Sequence, residues 1–261
     1  LAVLVLTLAL RRRRRPGTPR VVFSDIDGTL AHYAWQLEGV AEILPGRGDR
    51  AVIRYFHSGL ERECLTLPSL TAGTAYISLR TLELVAELRA RGVTFVLVSG
   101  VRSSTYLARR RRLPVADFEV FESGGRIWQL GRPELEWSAQ LQQATGFNGR
   151  RPRHRDIRAR PESLWAEYRE LQREGWRPDA AGYATQFRIV APDGDSSLSR
   201  FKSEVVPRLA RRGLAYTMNL GKVDVYPITS GKLNAARHIL GRLNVSADEA
   251  VMLFDDVNDP E

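Results

Sequence analysis

The stretch VVFSDIDGTLAHY, Val21 to Tyr33, puts two aspartates two positions apart directly behind a short apolar run and follows them with Gly28 and Thr29. An apolar run of this kind reads as a buried strand. A strand interior has no use for paired carboxylates, because burying an unpaired charge is costly. Asp25 and Asp27 therefore belong just past the strand's end.

Outward from this strand, the chain alternates strands with helices. Residues 78–92 (SLRTLELVAELRARG) predict a helix with Leu82, Val85, Ala86 and Leu88 on one face, basic residues in its last turn and Gly92 as its stop. Residues 93–100 (VTFVLVSG) follow as a second buried strand. After a further basic helix, residues 117–125 (DFEVFESGG) give a third strand that closes in a glycine turn. This order predicts an α/β fold, a Rossmann-like parallel sheet core, with its first part over 20–125 and its second over 229–261. Residues 126–228 break the pattern: a strand-like RIWQL, a helix over 161–175, an alternating stretch over 183–190, a helix over 198–213 and two short strands near 214–226. That mixture reads as an inserted α+β cap domain. Where the core resumes, Ser230 is a candidate helix cap, and Ser246 with Glu249 forms a candidate capping box before the last strand.

Composition sets the outer limits. At 261 residues and 43% hydrophobic, the chain suffices for one large α/β domain or a core carrying a smaller inserted one. The single Cys64 has no partner for an internal disulfide or a thiolate metal site, which suits a reducing compartment, cytoplasmic or organellar. His32, His57, His154 and His238 show no metal-ligand spacing. The net charge of +9 and the runs at 11–15, 109–112 and 150–160 raise the question of a nucleic-acid partner. Only Lys202, Lys222 and Lys232 among the 39 basic residues are lysine, and no aromatics interleave the runs. The pattern predicts a solvated arginine face rather than a nucleic-acid groove. Residues 1–19 join a ten-residue stretch, apolar but for Thr7, to an arginine run and read as an anchor or targeting remnant. Ten residues span about 15 Å of helix, half a hydrocarbon core, so membrane association is expected only if the segment belongs to a longer anchor. The far end stops after a strand and loop, where a covering helix is expected, and reads as truncated.

In a parallel sheet with helical crossovers, ligands bind in the crevice beyond the carboxyl ends of the strands. Three predicted strands end in polar residues there: Asp25 and Asp27 after the first, Ser99 after the second, and Asp255, Asp256 and Asp259 after the last. Lys232 opens the helix before that last strand and can lie near the rim. Carboxylates gathered from two strands repel one another unless a cation sits among their oxygens, which predicts a hard ion, with Mg²⁺ the natural candidate.

The set resembles the haloacid dehalogenase (HAD) superfamily at four motifs in its order. DIDGT at 25–29 matches the aspartate pair, Ser99 in LVSG the hydroxyl motif, Lys232 in SGKLNA the lysine motif, and DDVND at 255–259 the acidic motif. The insertion between the second and third, preceded by ESGGRIW, resembles the α+β cap of the branch that holds Cof-type phosphatases and sucrose-phosphate phosphatase. The resemblance implies that Asp25 attacks a phosphoryl group, that Asp27 protonates the leaving oxygen and later deprotonates water, and that Ser99 and Lys232 hold the phosphoryl oxygens. Gly28, Thr29 and Gly100 would line the phosphate site beside Lys232. Mg²⁺ would be held by the Asp25 carboxylate, the Asp27 main-chain carbonyl and Asp255, with Asp259 bound directly or through water.

The implied activity is Mg²⁺-dependent hydrolysis of a small phosphorylated metabolite, a sugar phosphate first, through an aspartyl phosphate. A phosphomutase of the phosphomannomutase type and a catalytically silent anion-binding module stay open. Arg102, Arg126 and Arg188 could meet a second phosphate or sugar hydroxyls, or lie on the surface. Two departures from the family pattern stand out. Phe254 occupies a position where the family has glycine, which implies a differently shaped loop. The segment between the first two motifs, about fifty residues, does not match the short flap of Cof-type enzymes and implies either a further lid or an elaborated loop, with Gly73 at the crevice mouth.

Overall fold

A computed structural model describes residues 18–69, 73–149, 160–190, 199–219 and 222–255. The first strand, β1 (Val21–Ser24), is buried along its whole length. Behind the acidic turn the chain runs through five antiparallel strands: β2 (Ala31–Tyr33), β3 (Ala41–Pro45), β4 (Arg50–Tyr55), β5 (Glu61–Leu67) and β6 (Ala75–Ser78). They form a separate sheet in the order β2-β6-β5-β4-β3. The segment left open between lid and loop is thus largely sheet. Its inner face is alternating and thin: Ala51 and Ile53 from β4 and Cys64 from β5 are buried, while their neighbours Arg50, Arg54 and Glu63 face out. Cys64 is 1% exposed, and burial pushes its thiol up to about 11.

Helix α1 (Leu79–Ala90) starts where the Ser78 hydroxyl accepts the Thr81 N–H at 3.0 Å. The core then adds β7 (Thr94–Val98), α2 (Ser103–Arg109), β8 (Phe118–Phe121), β9 (Arg126–Gln129), β10 (Arg132–Pro133) and α3 (Leu135–Thr145). The expectation that the inserted unit begins at 126 is corrected here. Glu122, Ser123 and Gly124 all take positive φ, and this turn folds β9 back antiparallel on β8. The edge of β8 offers unpaired backbone groups, and RIWQL satisfies them. Trp137 and Leu141 of α3 then pack with Val96, Val98 and Ile127 of the core sheet.

The inserted unit proper carries α4 (Ser163–Arg173), β11 (Pro178–Asp179), β12 (Phe187–Val190), a π-helical turn over Phe201–Val205 that runs into α5 (Val206–Arg211), β13 (Leu214–Asn219) and β14 (Lys222–Pro227). Its antiparallel sheet has the order β11-β12-β14-β13 and its own core, with Trp165, Leu171, Phe187, Phe201 and Val225 among its buried members. Helix α6 (Lys232–Leu243) and β15 (Ala250–Leu253) complete the main sheet, whose order is β10-β9-β8-β7-β1-β15. Strands β8, β7, β1 and β15 are mutually parallel.

Gly231 at φ 101, not Ser230, stands at the cap of α6. Ser230 is instead buried and donates to the Ser123 carbonyl at 3.0 Å, which fastens the start of α6 to the turn after β8. The Ser246–Glu249 capping box is present, closing a 3₁₀ turn. No helix among the described residues is long and apolar enough to cross a membrane. The apolar N-terminal segment and the run at 11–15 lie outside the described residues, as does nearly all of the run at 150–160.

Candidate active site

Strand register decides what meets at the carboxyl end of the main sheet. Ser24 pairs with Leu97 on one side and with Leu253 on the other. Two residues further along each strand stand Ile26, Ser99 and Asp255, so the three predicted loops emerge at one level. Asp25 is the first residue past β1. Its Oδ1 accepts the Ile26 N–H at 2.6 Å and its Oδ2 accepts Lys232 Nζ at 2.9 Å. Burial pushes the Asp25 carboxyl above its ordinary value, and the Lys232 ammonium works against that shift. Asp25 and Lys232 border a cavity whose other walls include Phe23, Val98, Met252 and Phe254.

Asp27 takes a different partner. Its Oδ1 pairs with Arg109 Nη1 at 2.7 Å, a contact the sequence reading did not contain. Gly28, at φ +90, closes the turn and donates its N–H to the Ala31 carbonyl at 2.7 Å. A Cβ at Gly28 would fall 1.8 Å from Asp255 Oδ2, so glycine is what lets this carboxylate lie against the turn. Thr29 Oγ1 donates to Asp255 Oδ1 at 3.3 Å. His32 is held below its ordinary value by burial, against the charge of Asp255. Phe254 is 49% exposed and does not keep Asp255 from the turn. Gly28→Ala is therefore expected to displace Asp255, costing about 2 kcal/mol of stability from backbone strain. Denaturant titration of the variant checks the cost.

Ser99 is 3% exposed, with its Oγ accepting the Val101 N–H at 3.2 Å. Gly100 is one of the places where the inserted unit meets the core: its carbonyl accepts Gln186 Nε2 at 3.1 Å, and a Cβ there would lie 3.8 Å from Asp224 Oδ2. Gln186 Oε1 is buried with no partner among the described residues.

The three arginines considered for substrate contact are engaged within the protein. Arg102 binds Asp179 at 3.0 Å and the Ala181 carbonyl at 2.9 Å, Arg188 forms a two-bond pair with Asp224 at 2.6 Å each, and Arg126 lies among the rings of Phe121, Trp128 and Phe147. Desolvation lowers Arg126 from its ordinary value. The run at 109–112 departs from the expected solvated face as well: Arg109 is buried, Arg110 pairs with Glu119 at 2.9 Å and Arg112 donates to the Thr66 carbonyl at 2.7 Å. Helical spacing carried the signal, since Arg109 follows buried Tyr106 by three residues on one face of α2.

Asp25 and Asp27 follow β1 and Asp255 follows the adjacent β15, so the donors this end of the sheet offers are carboxylate and carbonyl oxygens, one carboxylate of them desolvated. That chemistry fits a hard divalent cation. Asp259, the fourth expected ligand, and Asp256 lie outside the described residues. A second group, Glu134, Glu136 and His238, has ligating atoms within 4.8 Å of one another. There, Arg242 already holds Glu134 at 2.6 Å and reaches Glu136 at 3.4 Å, so the carboxylates have their counter-charge.

No protein-family model and no curated protein sequence matches the chain. Solved structures do. The chain is similar to the sucrose-phosphatase of Synechocystis, solved with sucrose and phosphate, at a TM-score of 0.56 and 15% identity, over 93% of this chain and 78% of that one. It is similar to a phosphatase of the haloalkanoate (HAD) superfamily from Bacteroides thetaiotaomicron, at a TM-score of 0.53 and 13% identity, over 94% and 81%. A haloacid dehalogenase-like hydrolase from B. subtilis aligns at 0.50 and 12% identity, over 92% and 84%. The fold is that of the HAD-like hydrolases, parallel core and inserted cap together.

Proposed function

We propose that the protein is a hydrolase of small phosphomonoesters that works through a phosphorylated Asp25. The observation that carries this reading is the Lys232 ammonium 2.9 Å from the Asp25 carboxylate at the carboxyl end of β1. A largely desolvated carboxylate with a cation beside it is a nucleophile next to a site for anionic oxygens. Asp25 attacks phosphorus, forming a carboxylate O–P bond as the bond to the leaving oxygen breaks. Asp27 gives its proton to that oxygen. It then takes a proton from the water that attacks the aspartyl phosphate, which releases inorganic phosphate and restores Asp25. Ser99 and Lys232 hold the phosphoryl oxygens, with Gly28, Thr29 and Gly100 lining the site. Mg²⁺ would be held by Asp25, the Asp27 carbonyl, Asp255 and Asp259, and when bound it would supply positive charge to offset that of nucleophile and substrate.

A sugar phosphate is the substrate class we assign. The sucrose and phosphate held by the Synechocystis enzyme support it. Phosphate release from a panel of phosphometabolites tests the assignment. Turnover is expected to stop on chelation and to return with Mg²⁺; full activity in the presence of chelator would sink the mechanism. A phosphomutase would instead transfer the phosphoryl group to a bound sugar phosphate without net release.

A further inference from the structure

Arg109 ends α2 and is 1% exposed. A guanidinium so desolvated persists only where acceptors surround it. Its acceptors come from three distant places in the chain: Nη1 donates to Asp27 Oδ1 at 2.7 Å, Nη2 to the Tyr33 hydroxyl at 2.8 Å and Nε to the Pro68 carbonyl at 2.5 Å. Its guanidinium carbon also lies 5.6 Å from the centre of the Tyr33 ring. Tyr33 closes β2 and Pro68 follows β5, so two of the three anchors belong to the five-stranded sheet. Three residues on, Arg112 adds a bond to the Thr66 carbonyl and a pair with Asp49 at 3.3 Å, both on that sheet or its turns. The third anchor of Arg109 is the carboxylate assigned above to proton transfer.

An aspartate side chain that is 30% exposed can turn among several rotamers unless one oxygen is tied. Arg109 ties Oδ1. Asp27 Oδ2 accepts no hydrogen bond among the described residues and is the oxygen left to carry a proton. We propose that Arg109 is a positioning residue for proton transfer by Asp27, and that the five-stranded sheet is the support that holds this arginine in place. The proposal rests on the assignment of Asp27 as acid and base. It gives the insertion between the first two motifs a task in the chemistry. It also explains why arginine is required: a planar fork binds three acceptors in fixed directions, and a lysine cannot.

The test uses the leaving group as a reporter. An alkyl phosphate needs a proton on its departing oxygen, whereas p-nitrophenolate leaves without one, and kcat/KM reports only the steps through phosphoenzyme formation. A displaced acid therefore slows the alkyl ester and spares the aryl ester. The ratio of kcat/KM for the best alkyl phosphate to that for p-nitrophenyl phosphate is measured with Mg²⁺ in the wild type, Asp27→Asn, Arg109→Lys and Tyr33→Phe. Both values come from one preparation, so loss of folded protein cancels. The ratio is expected to fall about 10²-fold in Arg109→Lys, towards that of Asp27→Asn. In Tyr33→Phe, which removes one anchor and is the deciding variant should Arg109→Lys not fold, a fall of about 3-fold is expected. Unchanged ratios in these variants beside a collapsed one in Asp27→Asn overturn the positioning role. An unchanged ratio in Asp27→Asn itself overturns the acid assignment and the inference with it.

Discussion

Asp25→Ala is expected to lower phosphate release by at least about 10⁴-fold, because no other group takes over when a covalent nucleophile is removed. The residue lies past the end of β1, and its contacts are the Ile26 N–H and Lys232, so core packing is not disturbed. Its burial as a charge is itself unfavourable, as the upward shift of its carboxyl shows. The variant should accordingly melt close to the wild type. Rapid quench with radiolabelled substrate separates the two aspartates: Asp25→Ala should carry no label, whereas Asp27→Asn should retain more phosphoenzyme because water activation is lost as well. Near-normal turnover in Asp25→Ala would remove the nucleophile assignment altogether.

What the sequence disclosed and what it hid divide along a physical line. The main sheet was legible because its strands are nearly continuous apolar runs and its loops carry charges that such strands cannot bury. The placing of Asp25 and Asp255 just past strand ends follows from that contrast, whereas Lys232 was read from the helix it opens. Strands β2 to β6 are short and half-exposed, with arginines and glutamates on the outer face, so their period of two is diluted below notice. Strand β9 was visible as a strand, but the three consecutive positive φ angles that return it to the core sheet are not a property any local pattern reveals. Arg109 sat in a run of four arginines, where composition argued for solvent and only the helical face argued for burial. Arg102 and Arg188 looked available for a ligand because their acidic partners, Asp179 and Asp224, are 77 and 36 residues away in the chain.

Glu122→Ala is expected to have the largest effect on stability, and the reason lies in how the inserted unit is joined to the core. Glu122 is 0% exposed, yet it is a carboxylate. Its Oε2 accepts the Ala184 N–H at 2.8 Å, the Thr185 N–H at 2.7 Å and the Thr185 hydroxyl at 2.7 Å, while Oε1 accepts the Ser103 hydroxyl. Ser103 Oγ in turn accepts from Arg126 Nη1 at 2.7 Å. One side chain from the turn after β8 thus satisfies two main-chain donors of the inserted unit and is linked through Ser103 to a buried cation. Truncation leaves those donors without acceptors and Arg126 without its nearest counter-charge, at a cost of about 3 to 5 kcal/mol. Glu122→Gln tests the same account more sharply, since it keeps the volume but replaces one acceptor oxygen with an amide that can only donate. If the acceptor role is what matters, Glu122→Gln should lose at least half as much stability in denaturant titration as Glu122→Ala, and should loosen the unit's hold on Gly100 through Gln186. A fully stable Glu122→Gln would mean that one carbonyl oxygen suffices for the Ala184 and Thr185 donors, and that the charge of Glu122 is not what fixes the inserted unit.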